Sequence, residues 1–423
     1  MPGGTGVRRG LAAALCLALL VLSGCTHEYR TGHPWVVNSG ARIVSELEGY
    51  APDLDGWVFV LVPATYNPSF KTTTYPFGVA DYLSLVPASS QGWDGWAPDM
   101  AAMAVLKDNE DFLDPSTADT VSGTLVFQAP YDKLASAKVI GYGFSAEGGG
   151  PNYSVDVGFD PVPARPAPTN LPKLPTVPLG TSVSVEDRID SSCEVTVTGT
   201  RLASRSGGIA STASFFVAVD LSVSVTSPYQ CSGLYDPSPY QLAAVAEPGR
   251  PQGVDSLATA ASGINQGIPV PRTGTFSETV VFDLDDPLYL VVTDDAGRQT
   301  RMDLGLDRAR QVDDIAVDQP GVPLGSEGEL FQIGCTVLQS QTDSKQTQIQ
   351  IQIANPYTST LYYPGQYLFL VDMDGRVLPA NDQLRDVNLE PGDSVTRWLS
   401  FASNQPSHLI LWAGARLIRM DLA

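Results

Sequence analysis

The feature that most constrains this chain is a set of landmarks that occurs twice in the same order. Val177-Pro178-Leu179-Gly180 returns as Val322-Pro323-Leu324-Gly325, and a cysteine follows each, Cys193 in the first copy and Cys335 in the second. Next comes a stretch of period two. Phe215, Val217, Val219, Leu221, Val223 and Val225 alternate with Ala218, Asp220, Ser222 and Ser224, while Ile349, Ile351 and Ile353 alternate with Gln348, Gln350 and Gln352. Successive side chains of a strand point to opposite faces, so this alternation predicts strands with one face in a core and one in water. Ser227-Pro228-Tyr229 is echoed by Asn355-Pro356-Tyr357, and both copies close on Arg-Met-Asp-Leu, at 301–304 and 419–422. Matching landmarks in matching order mark two copies of one domain.

The region before them reads as a diverged third copy. Trp57-Val58-Phe59-Val60-Leu61-Val62 is apolar on both faces and predicts a buried strand before Asn67-Pro68. Further strands are expected at Tyr82–Val86, Gly123–Phe127, Lys138–Phe144 and Tyr153–Phe159, with a short helix over 98–106. This copy lacks the early cysteine and adds a Trp93-Asp94-Gly95-Trp96 loop. With 39 glycines and 33 prolines the chain favours turns and short strands, and 423 residues exceed what one core holds. The expected fold is all-β: three tandem immunoglobulin-like antiparallel β-sandwiches over 49–160, 179–310 and 326–423. Prolines at 161, 163, 166, 168, 172, 175 and 178 make 161–178 a linker, and 311–325 a second, shorter one. A polyproline spacer of ~3.1 Å per residue is the expected form of the first; packing as an extended edge is the alternative.

The N-terminus fixes the compartment. Arg8 and Arg9 precede an apolar run, Leu11 to Leu22, short of the ~20 residues a bilayer crossing needs. Leu22-Ser23-Gly24-Cys25 resembles a bacterial lipobox. The resemblance implies a signal peptide over 1–24, cleavage before Cys25, lipid on Cys25, and a tether over 25–48 facing outside the cytoplasm at the cell membrane. Two acyl chains would make that anchor lasting, since each buried CH₂ contributes ~0.8 kcal/mol. An ordinary signal peptide with a chance cysteine is the alternative. Losing the signal leaves 23 bases against 46 acids, a net charge of −23, which repels phosphate backbones and argues against nucleic acid as a partner.

Chemistry is sparse. Only three histidines occur, His27 and His33 in the tether and His408 expected at a strand end on the surface, so nucleophilic triads and histidine metal sites are hard to assemble. Gly143-Phe144-Ser145-Ala146-Glu147 begins like a nucleophile elbow but lacks the closing glycine. Asp108, Glu110 and Asp114 fail as an EF-hand loop; loose calcium binding there, or at Asp283, Asp285 and Asp286, competes with a plain solvated turn. No catalytic residue, metal site or cofactor is expected. Cys193 and Cys231 either bridge or remain buried thiols beside Cys335. Trp93 and Trp96 either stack on a ligand or cap their own domain's core.

Asn355-Pro356 after the alternating strand, the Asp372-Met373-Asp374-Gly375 hairpin, Leu389-Glu390-Pro391-Gly392-Asp393 and Phe401 before Pro406 together resemble the telokin-like, immunoglobulin-like domain of exported Gram-positive lipoproteins. That resemblance implies a fold and supplies no catalytic residues. The function expected is that of a lipid-anchored interaction, adhesion or envelope-organising protein without catalysis, its partner a protein or envelope component. A solute- or glycan-binding lipoprotein using the Trp93/Trp96 loop is the alternative.

Overall fold

The computed structural model describes residues 35–37, 40–66, 83–88, 95–109, 112, 120–142, 151–159, 161–167, 170–186, 192–225, 240–246, 250–265, 273–294, 299–317, 320–330, 333–363, 368–381, 387–413 and 416–422. Three β-sandwich domains of one topology follow one another. In the second, Phe215–Val225 runs antiparallel between Ser192–Ser206 and Gly274–Leu284, and the facing sheet is built on Tyr240–Ala246, Pro287–Asp294 and Gln299–Met302. In the third, Thr347–Ala354 lies between Ile333–Thr342 and Ser394–Phe401, against Leu368–Asp372, Pro406–Ala413 and Arg416–Asp421. In the first, Trp57–Tyr66 pairs with Val121–Pro130, against Leu83–Val86, Lys138–Tyr142 and Pro151–Asp156.

The alternation builds the cores. Val219 and Leu221 pack with Leu290 and Val292 in the second domain, and Ile349 and Ile351 with Leu370 and Leu409 in the third. The repeated landmarks also meet each other in space. Val177 lies parallel to the end of its copy, its N–H donating to the Arg301 carbonyl at 2.9 Å and its carbonyl accepting from Asp303 at 2.8 Å. Val322 makes the same two bonds with Arg419 and Asp421, both at 2.8 Å. Even the bulge is shared, after Asp220 in one copy and between Val337 and Gln339 in the other.

A short helical cassette recurs in the first two domains and closes the free edge of one strand. Asp99 caps helix α1 (Met100–Ala104), and Asp255 caps helix α2 (Ser256–Ala261), each through its carboxylate and an N–H three residues on. The Asp99 N–H donates to the Val126 carbonyl and the Asp255 N–H to that of Val281. Ten residues after each aspartate comes an asparagine, Asn109 or Asn265. Its side-chain amide pairs with both backbone groups of an edge-strand threonine, Thr124 or Thr279, at 2.6 to 2.9 Å. Exposed edges invite foreign strands, and this cassette occupies them.

Several expectations are corrected. The tether ends earlier than 48, because Trp35–Val37 and Arg42–Val44 both pair with Trp57–Tyr66. Two three-residue strands there replace the long strand that opens the other copies, so no period shows. The Pro-rich segment is no spacer. Val162 and Leu174 pack on the first domain's core, Lys173 Nζ donates to the Pro52 carbonyl at 2.6 Å, and Arg165 sits over the Tyr131 ring. Part of the shorter linker is also structured: Arg310–Ile315 adds a parallel strand beside Ser192–Ser206. The polar face assigned to Phe215–Val225 is half covered, since Phe216 and Ala218 are buried against the third domain. His408 is not at the surface either, being only 3% exposed.

Candidate functional site

Charge, burial and cavity coincide at the junction of the first and second domains. Arg301 lies on Gln299–Met302, where Met302 turns into the core and Arg301 turns outward. Outward here means into the first domain. Its Nη1 donates to Asp53 Oδ2 at 2.9 Å, its Nη2 donates to Asp99 Oδ2, and its guanidinium lies 4.2 Å from the centre of the Tyr289 ring. Gln128 ties the two carboxylates together. Its Nε2 donates to Asp53 Oδ2 at 2.9 Å and to Asp99 Oδ2 at 2.6 Å, while its Oε1 accepts from the Asp53 N–H at 2.6 Å. Asp99 Oδ1 is taken by the Ala102 N–H at the helix cap.

Two acids against one base leave this buried group one negative charge in excess. Burial pushes the Asp53 carboxyl above its usual range and the Asp99 charge adds to that; Arg301 offsets only part. Burial works to lower the Arg301 guanidinium, but Asp99, Tyr289 and Asp53 outweigh it and hold the group firmly protonated. A cavity of about 200 Å³ opens beside the cluster, walled by Trp57, Met100, Leu242, Val245 and Val291 with Gln299 at its polar side. That is small for a ligand pocket, which commonly spans ~300–1,000 Å³. The charges beside it are committed to one another, an arrangement that clamps two domains.

The second junction uses different chemistry. Phe216, Ala218 and Val281 of the second domain, with Ala258 and Ala260 of α2, pack on Val371, Ile410 and Leu417 of the third. Two hairpins also touch there. The Ala210 N–H donates to the Gly375 carbonyl at 2.9 Å, and Gly375, at φ +88°, has no room for a side chain: a Cβ would lie 2.7 Å from Ala210 N and Gly208 O. The Asp374-Gly375 turn expected from sequence is thus also a domain contact.

The residues singled out from sequence do not assemble into one site. Cys25, Trp93 and Cys231 lie outside the described residues, as does the segment 143–147. Cys193 is disulfide-bonded and fully buried. Cys335 is free, and burial together with Glu327 pushes its thiol up to about 12, far from a reactive thiolate. Trp96 is 2% exposed and packs edge-on to Trp57 with centroids 6.4 Å apart, so the core-capping alternative describes it and no ring face is open to a ligand. Asp283 accepts from Ser211, from both Thr212 donors and from Ala213, and Asp285 from Ser214; these bonds close a turn. Among the described residues no cluster of three metal-ligating side chains forms.

No family model matches the chain, and no curated protein matches it either. Among solved structures it is similar to the yjhA protein from Bacillus subtilis, at 16% identity over 21% of this chain and 78% of that one, with a TM-score of 0.19.

Proposed function

We propose that this is a lipid-anchored, non-catalytic interaction protein of the cell envelope, in which three welded sandwiches present a rigid surface away from the membrane. The observation that supports this most is the Arg301–Asp53–Asp99–Gln128 cluster, in which Arg301 of the second domain donates to Asp53 and Asp99 of the first. Catalytic groups need a proton or an electron pair to spare, and these spend theirs on each other. The second junction supports the same reading, because an apolar seam between domains favours one fixed arrangement over independent motion. The lipobox-like Leu22–Cys25 supports the anchor.

The glycan- or solute-binding alternative through the Trp93/Trp96 loop loses its support at Trp96, which is in the core. The anchor is tested by metabolic palmitate labelling of the full chain and of Cys25→Ala in cells. Label on the parent, none on the variant and release of the variant from membranes are expected. Membrane retention of an unlabelled Cys25→Ala after a high-salt wash would overturn the anchoring.

A further inference from the structure

The three domains carry one topologically equivalent sheet face that differs in what covers it. In the second domain it meets the third domain. In the third domain the same face, outward from Thr347–Ala354, carries three cross-strand rows: Gln341, Gln348 and Ser400; Gln339, Gln350 and Trp398; Thr336, Gln352 and Thr396. Directly paired residues of an antiparallel sheet share a face, and the inward set is Ile349, Ile351 and Ile353. The first two rows carry no charged side chain; the third continues onto the exposed Glu327, which pairs with Thr336.

Their hydrogen bonding is half spent. Gln339 Nε2 donates to Gln350 Oε1 at 2.9 Å, and Gln341 Nε2 to Gln348 Oε1 at 2.7 Å. Each pair uses one N–H and one carbonyl, so acceptors on Gln339 and Gln341 and donors on Gln348 and Gln350 keep capacity for a ligand. In the middle row the Trp398 side chain is 41% exposed, and Leu338, bulged out beside Gln339, is 39% exposed.

We infer that this face of the third domain binds a neutral polysaccharide. Sugar hydroxyls both donate and accept, which matches a row of amides with both capacities left, and the C–H face of a sugar ring stacks on an indole. The middle row runs about 10 Å from Gln339 to Trp398, two strand spacings, and offers a long flat contact. A polyanion is disfavoured by the net charge of −23 after signal removal. A peptide added as a strand would have to join an edge of this sheet, and at the edge strand Ser394–Phe401 the Asn381 N–H already takes the Ser400 carbonyl at 2.7 Å. The inference rests on the interaction reading above and names the partner's chemistry and the domain that meets it.

The test uses the full chain purified in detergent, with β-glucan, mannan and arabinogalactan as neutral polymers and polygalacturonate and heparin as polyanions. Retention on at least one neutral polymer and on neither polyanion is expected. Trp398→Ala should weaken that binding at least about tenfold, as the loss of an aromatic anchor does, while Trp398→Phe keeps most of it. Thermal stability should be unchanged; if Trp398→Ala lowers it, the half-buried pair Gln348→Ala/Gln350→Ala decides, again by weakened binding. No retention on any neutral polymer, equal retention on polyanions, or undiminished binding by the deciding variant would overturn the inference. Cross-linking of the full chain to envelope proteins without polysaccharide retention would overturn it alone and leave the interaction reading standing.

Discussion

The two domain junctions are built on the same plan and held by opposite chemistry. Each is made beside an aspartate-capped helix, α1 at the first and α2 at the second. At the first the cap residue Asp99 also receives an arginine from the next domain. At the second the corresponding Asp255 stays with its own helix, its carboxyl raised by burial and further by the nearby Asp283, and alanines and branched side chains fill the seam. The closing Arg-Met-Asp-Leu shows the divergence residue by residue: Arg301 is 5% exposed and clamped, whereas Arg419 is half exposed and lies 3.9 Å from Asp421 of its own strand. A repeated module fixes where the next module docks and leaves open what glues it.

The largest effect expected is at the charged junction. Arg301→Ala strands Asp53 and Asp99 in a buried site, and breaking a buried pair by removing one partner costs about 3–5 kcal/mol. Phe216→Ala at the apolar junction should cost a similar ~3–5 kcal/mol, through the cavity it leaves. The two are separated by a third variant. Replacing Arg301, Asp53 and Asp99 together by apolar residues should recover most of the first loss, since no charge is then left buried. Urea unfolding of each variant measures this, and a triple variant no more stable than Arg301→Ala would show that the ions hold the junction in some way beyond mutual neutralisation.

The junctions should also answer pH with opposite signs. Burial, reinforced by the Arg419 guanidinium, holds the His408 imidazole at about 4 against a usual 6.5. Facing it are Ser407 Oγ at 3.1 Å, Asp421 across the strand pair, and Gly208 of the second domain. A depressed histidine favours the folded state above its unfolded value, and that contribution is lost as pH falls from 6.5 through about 4. The full window corresponds to a loss on the order of 3 kcal/mol. Asp53 is raised, so its contribution is fully present below 3.8 and declines as pH rises through its folded value. Calorimetry from pH 7 to 5 should therefore show the third domain loosening first, and His408→Gln should flatten that slope. An unchanged slope in the variant would place the titration elsewhere.

How far the sequence carried depends on whether a feature is local. The Ile349–Ile351–Ile353 alternation is a property of neighbours, and it reads directly as a strand with Gln348, Gln350 and Gln352 outside. The repeated Val-Pro-Leu-Gly and Arg-Met-Asp-Leu likewise mark domain ends, because they pair with each other in space. Asp53, Asp99, Gln128 and Arg301 carry no such signal: 248 residues separate the outermost pair, and each is an ordinary surface type until a second domain buries it. His408 lacks such a signal for the same reason, since a strand end is exposed only if nothing docks on it. The proline segment misled differently. Polyproline geometry is as good for lying along a sandwich as for spanning a gap, and Leu174 decides between them by entering the core.

The smallest effect sharpens the comparison at the cassette that both junctions share. Asn109 and Asn265 each satisfy an edge threonine, so either change to Ala leaves an N–H and a carbonyl without partners, at about 1–3 kcal/mol. The bonds of Asn265 to Thr279 are buried, whereas those of Asn109 to Thr124 are only partly so. Water can replace the lost partner at Thr124 more easily than at Thr279, which lies beneath the apolar seam's edge. Asn265→Ala should accordingly be the costlier of the two in urea unfolding, and should raise amide exchange at Thr279 more than Asn109→Ala does at Thr124. Equal costs would mean that the edge bonds matter and the neighbouring seam does not; a costlier Asn109→Ala would point instead to its third bond, from Nδ2 to the Met103 carbonyl at 3.1 Å, as the one that holds α1 in place.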